Sequence, residues 1–239
     1  MTGPLGDIWV YLSATPLLWL TATLVAYLIG VLLFDRVRRN PMVQPVAVAV
    51  VLLVAVLMIS DTAYESYFDG AQFVHFLLGP ATVALAVPLY AQWSRVKRSV
   101  LPMAAALAAG SLTAVTSAIG IAFLLGASRE SVMSLAPKSV TTPIAMGIAE
   151  KIGGLPSLTA VLVILTGIIG AMTATPLLNL MGLKDYAARG FAVGLAAHGI
   201  GTARAFQVSE LAGAFAGIAM GLNALATALI VPLVIRLIG

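Results

Sequence analysis

Apolar runs long enough to cross a bilayer follow one another along almost the whole chain, and the charges between them mark their limits. A span needs about 20 mainly apolar residues. Charge-free stretches of that kind run from Ile8 to Phe34, Asn40 to Ser60, Gly70 to Ser94, Ser99 to Ser128, Ile152 to Leu183 and Leu211 to Ile235. Two further segments are polar. The fifth, Glu130 to Glu150, contains Lys138. The seventh, Gly190 to Ala203, is short, and extending it to Ser209 brings in Arg204 beside His198. The third hides an interruption at Gly79-Pro80. This pattern predicts an all-α polytopic membrane protein of about eight segments with interrupted helices. Segments five and seven either cross or re-enter, and residues 1–239 form one transmembrane domain.

Composition narrows the class. Of the 239 residues, 61% are hydrophobic and 9% charged, against about 25% charged in soluble domains. The basic residues sit in short loops, which speaks against nucleic-acid binding. There is no cysteine, so disulfides, thiol catalysis and cysteine-ligated metals are excluded. Two histidines, His75 and His198, are too few for most metal sites, and no cofactor is expected. The N-terminus, with Asp7 as its only charge, lacks the basic region of a cleaved signal peptide, and Thr15-Pro16 marks a helix start.

Basic residues in short loops favour the cytoplasmic side. Arg36, Arg38 and Arg39 follow the first segment, and Arg95, Lys97 and Arg98 the third; Asp61, Glu65 and Asp69 follow the second. With eight crossings the N-terminus is outside, and Lys151 and Arg204 lie near the cytoplasm. Lys184, Arg189 and Arg236 then violate the rule.

Two constellations carry chemistry. In Pro137-Lys138-Ser139-Val140-Thr141-Thr142-Pro143, two prolines interrupt a helix. If helix resumes after Pro137, Lys138, Thr141 and Thr142 share a face, and the free N–H groups with Lys138 suit an anion. The plainer reading has Lys138 snorkelling to an interface and the threonines bonded to their own helix. In His198-Gly199-Ile200-Gly201-Thr202-Ala203-Arg204, Gly199 and Gly201 form a natural hinge. His198 and Thr202 face one cavity at i, i+4 spacing, and His198 suits a coupled proton. Ionisable residues within spans mark functional sites. Ser139 with His198 has no acid to orient it, so enzyme readings fail. His75, beside Phe73 and Phe76, reads as an aromatic-belt residue. Gly79-Pro80-Ala81-Thr82 echoes Ala136-Pro137-Lys138-Ser139, and paired helix breakers are the pattern of transporter repeats. Gly79, Pro80 and Thr82 therefore join the candidate site. Gly213, Gly217 and Gly221, four residues apart, permit close helix packing in a homodimer.

Phe76-Leu-Leu-Gly-Pro-Ala-Thr-Val-Ala-Leu-Ala-Val-Pro-Leu-Tyr90, Leu135-Ala-Pro-Lys-Ser-Val-Thr-Thr-Pro-Ile-Ala145 and His198-Gly-Ile-Gly-Thr-Ala-Arg-Ala205 resemble the LrgB/CidB family of membrane proteins. The resemblance covers nearly the whole chain. It implies a bacterial inner-membrane protein with a small LrgA-like membrane partner, and two alternative functions. One is holin/antiholin-like regulation of murein hydrolases and lysis. The other is transport, since a plastid relative translocates glycolate and glycerate and some bacterial pairs are linked to pyruvate uptake. Buried cations beside helix breaks favour a carrier of small monocarboxylates over a pore.

Overall fold

The computed structural model describes residues 16–84 and 86–238, apart from the side chains of His75, Leu78, Thr82 and Ile238. The readings placed on Asp7, on Thr15 and on the side chains of His75 and Thr82 lie outside the described residues. The described chain is helical, without strands. Five of its stretches are long and apolar enough to cross a membrane, Pro16–Arg36, Tyr64–Ala91, Val100–Leu124, Pro156–Leu180 and Glu210–Leu237. It divides after Ala84 into two compact units.

The first unit contains α1 (Pro16–Arg36), α2 (Pro45–Ile59), α3 (Tyr64–Phe76) and α4 (Leu78–Ala84). α1 packs on α2 and α3 at two glycines: Gly30 lies against the Pro45 carbonyl, and Gly70 against Pro16 and Trp19. Trp19 is buried there, edge-on to Tyr67 with ring centroids 5.9 Å apart. α2, with 15 residues, is about 22 Å long at 1.5 Å per residue, short of a full span. The interruption of the third segment falls at Leu77, between α3 and α4. Gly79 and Pro80 sit in the first turn of α4, where proline's missing N–H costs nothing. Residues 79–84 are thus helical, whereas 136–141 are not, so the echo between them is not a structural repeat.

The second unit contains α5 (Ala86–Ala91), α6 (Trp93–Arg98), α7 (Val100–Leu124), α8 (Arg129–Leu135), α9 (Thr142–Ile152), α10 (Pro156–Leu180), α11 (Tyr186–Val208) and α12 (Glu210–Ile238). Two apolar clusters define its two faces. Val96, Met103, Phe191 and Phe215 gather the starts of α7, α11 and α12 at one face. Val115, Ile119, Val132, Ile148 and Val231 gather the ends of α7 and α12 with α8 and α9 at the other.

α11 does not cross. Helical backbone angles fail at Ala197 (φ −126°, ψ 17°) and His198 (φ 41°, ψ −135°), and the chain doubles back. Gly190 lies against Ala212 and Gly194 against Ala216, so the arm before the break runs parallel to α12. Phe206 lies against Gly213 and Thr202 bonds Met220, so the arm after it runs antiparallel. An ideal Cβ at Gly201 would sit 3.0 Å from the Val193 carbonyl oxygen, a contact only a folded-back hairpin makes.

The fifth segment behaves alike from the opposite face. The Ser128 hydroxyl caps α8, residues 136–141 turn, and α9 returns to place Gly154 against Met133 and Ser134. There the Leu155 N–H donates to Ser134 Oγ (2.8 Å) and Thr159 Oγ1 to the Ser134 carbonyl (3.1 Å). Helix restarts at Thr142 with Thr141 as N-cap and Pro143 in the first turn, not after Pro137. Lys138 therefore precedes the helix and shares no helical face with Thr141 and Thr142.

Three long helices and two half-depth hairpins revise the orientation. Arg95, Lys97 and Arg98 now share a face with Lys184 and Arg189, while Lys151 moves to the face of Arg129 and Arg236. Lys184 and Arg189 now lie with the basic cluster of the first face, while Arg129, Lys151 and Arg236 stand on the opposite, less basic face. In the cysteine-free background, single cysteines replacing Lys97 and Lys184 are expected to label from the cytoplasmic side only, and one replacing Lys151 from the opposite side only. Labelling of the Lys151 and Lys184 positions from one side would break this topology.

Candidate functional site

The two hairpin tips meet midway along α10 and α12. Asn223, on α12, donates from Nδ2 to the Ser139 carbonyl (3.2 Å) and to the Leu195 carbonyl (3.0 Å). Its Oδ1 accepts from Ser111 Oγ (2.6 Å) and Thr227 Oγ1 (3.2 Å). A helix interrupted at membrane depth leaves carbonyls without partners, tolerable only where protein satisfies them. One amide does so for both breaks.

His198 seals the second tip. Its Nε2 lies 2.9 Å from the Val163 carbonyl; a carbonyl only accepts, so Nε2 carries the hydrogen. The ring packs so closely on Gly167 that a Cβ there would meet Cε1 and Nε2 at 2.7 and 2.8 Å. A non-glycine residue at positive φ costs of order 1–3 kcal/mol, offset here by that hydrogen bond and packing. The break thus falls on Ala197 and His198, not on the glycine hinge expected from Gly199 and Gly201. Both glycines are inside the returning arm, and Gly201 makes room for Ala197 and Val193. Thr202 does not share a cavity with the imidazole: its hydroxyl bonds the His198 carbonyl at 2.8 Å, the ordinary i−4 bond.

Lys138 is half-buried and precedes Ser139, whose carbonyl Asn223 binds. Its Nζ has a long contact to Ser139 Oγ (3.4 Å), and no carboxylate pairs with it among the described residues. Pro137 and Ser139 are buried, Thr141 and Thr142 partly so, and Pro143 is exposed. Thr141 makes no side-chain cap, and α9 and the returning arm of α11 both begin at this depth.

Arg204 is not part of this junction. It is buried six residues down the returning arm, about 9 Å from the tip, donates to Gln207 Oε1 (3.2 Å), and lines a cleft toward the first face with Arg189 and Tyr186. Gly79 and Pro80 belong to α4 of the first unit. Gly213 is occupied by Phe206 of its own chain, so the glycine stripe of α12 does not present an unbroken surface to a second copy. The residues missing from the sequence reading are Asn223, Ser111 and Thr227, with Gly167 as the cradle for His198. Their one signal was polarity in apolar helices, an amide and a threonine four residues apart on α12.

Helical hairpins dipping from opposite faces, with a half-buried cation where they meet, define a helical multi-pass membrane protein with a polar centre. The chain belongs to the LrgB-like family, whose family model matches residues 23–237. It is 35% identical over 215 residues to YxaC of Bacillus subtilis (strain 168), covering 90% of this chain and 93% of that one. It is 38% identical over 194 residues to YwbG of the same organism, covering 81% and 84%. It is 32% identical over 227 residues to the antiholin-like protein LrgB of Bacillus mycoides (strain KBAB4), covering 95% and 99%. No solved structure matches it.

Proposed function

We propose that this chain is a carrier of small monocarboxylates, of the size of glycolate, glycerate or pyruvate, in the bacterial cytoplasmic membrane, acting beside a small LrgA-like membrane partner. The observation that carries this reading is Lys138, a cation with no carboxylate beside it among the described residues, where two half-helix N-termini converge. Half-helix N-termini at mid-depth are how carriers hold anionic groups, and the amide dipoles add to the lysine charge. On this reading the anion contacts Lys138, Ser139, Thr141 and Thr142 and the start of α11's returning arm at Gly199 and Gly201. His198 and Pro137 shape the tips, and Arg204 lies on the path to the first face.

A second reading, holin- or antiholin-like regulation of murein hydrolases and lysis, draws on the name of the Bacillus mycoides relative. The relatives' names support it more directly than they support any substrate. The two readings diverge in flux. Proteoliposomes holding the purified chain, with and without an LrgA-like partner, are expected to take up labelled pyruvate or glycolate saturably while excluding a neutral solute of similar size. Unsaturable passage of both solutes, or of neither, would favour the lysis-regulating reading.

A further inference from the structure

Asn223 is 1% exposed, and all four of its hydrogen-bonding positions are taken. Each Nδ2 hydrogen goes to a different hairpin, one to Ser139 O before α9 and one to Leu195 O before the break in α11. Both are backbone carbonyls, so the amide cannot be flipped without losing both bonds. Ser111 on α7 and Thr227 on α12 fix its oxygen side. We infer that Asn223 is a latch, a positioning residue that holds both hairpin tips against α12, so that either tip swings away only by breaking a hydrogen bond from its side-chain amide.

The coupling follows from burial. A tip that leaves strips a buried donor of its partner and frees its own carbonyl, which is far costlier than exchanging partners in water. The two tips are not held equally. The second is also tied by His198 to the Val163 carbonyl, whereas Asn223 is the one side chain bonded to the Ser139 carbonyl among the described residues. The tip of the first hairpin, which is otherwise tied at its mouth through Ser134, is therefore the one that releases first. The latch rests on hairpin geometry and is independent of the solute; only its consequence for flux rests on the carrier reading.

The test uses thiol labelling in the full chain without substrate, so a negative uptake result leaves it intact. Single cysteines are placed at the two tips (Ser139→Cys and Ala197→Cys) and, as a control, at a fully buried site on α10 (Ala171→Cys), and each is combined with Asn223→Ala and with the isosteric Asn223→Asp, which loses the amide donors. Labelling at position 139 is expected to accelerate roughly tenfold or more in both variants, about the effect of one or two lost hydrogen bonds. Position 197 should respond less, and position 171 should stay protected. Unchanged labelling at 139, or an equal rise at 171 that marks general loosening, would overturn the latch.

Discussion

Uptake of a labelled two- or three-carbon monocarboxylate is expected to fall about a hundredfold or more when Lys138 is replaced by alanine. The reasoning is electrostatic. A cation half-removed from water, with no carboxylate partner among the described residues, supplies a full charge near the convergent helix ends, and truncating one member of a buried charged contact costs about 2–5 kcal/mol. The fold should not suffer. Lysine at a helix centre opposes membrane insertion by about 2.5–3.5 kcal/mol, so the yield of inserted protein should hold or rise. Uptake by K138A at the parental rate, with normal saturation, would return this lysine to an interfacial role and remove the main support for the carrier.

The second large effect falls on packing. A Cβ at Gly194 would land on the Ala216 carbonyl, and one at Gly190 on the Ala212 carbonyl. These four small residues let the inward arm of α11 lie flush along α12, an arrangement in which membrane helices gain most of their attraction from close backbone approach. Gly194→Leu would wedge the hairpin off α12, displace Leu195 and with it one bond to Asn223. Overpacking of this kind costs 1–3 kcal/mol and more where backbone must move. Size-exclusion chromatography and thermal melting in detergent should show loss of the monodisperse species. Gly221, whose Cβ direction is open, is the counterpart: Gly221→Ala should be neutral or slightly stabilising, since alanine is the better helix former. Equal tolerance at both positions would mean that the hairpin does not depend on this contact.

The helical class and the polar character of segments five and seven were legible because charge and length are local properties. Gly190 to Ala203 is too short to cross, and Lys138 with two prolines does not sit within a regular helix; both features are visible residue by residue. The sense of the hairpins was not visible. A fourteen-residue polar stretch reads the same whether it crosses after extension or turns back, and only the contacts Gly190–Ala212 and Phe206–Gly213 decide. The site was half legible. The Ser139 stretch and the arm before His198 both end against Asn223, but the break moved from Gly199 and Gly201 to His198, because a hydrogen bond to Val163 and packing on Gly167 hold a conformation that local preference disfavours. Arg204 was drawn in by sequence proximity alone, six residues being far along a helix. Asn223 was overlooked because a lone amide in an apolar span has no meaning until two broken helices end against it.

The hairpins also dictate an order of assembly. α7, α10 and α12 are each long and apolar enough to enter a bilayer on their own, whereas α8, with 7 residues, and α9, with 11, are too short to be held there without neighbours. The growing chain therefore lays down two pillars while the first hairpin waits between them, its Ser139 carbonyl still lacking the amide that will bind it. The second hairpin follows in the same unfinished condition. Asn223 arrives only with the last helix, so both half-helices close in one late event, and a ribosome that stalls before that residue leaves a chain inserted but open at its centre.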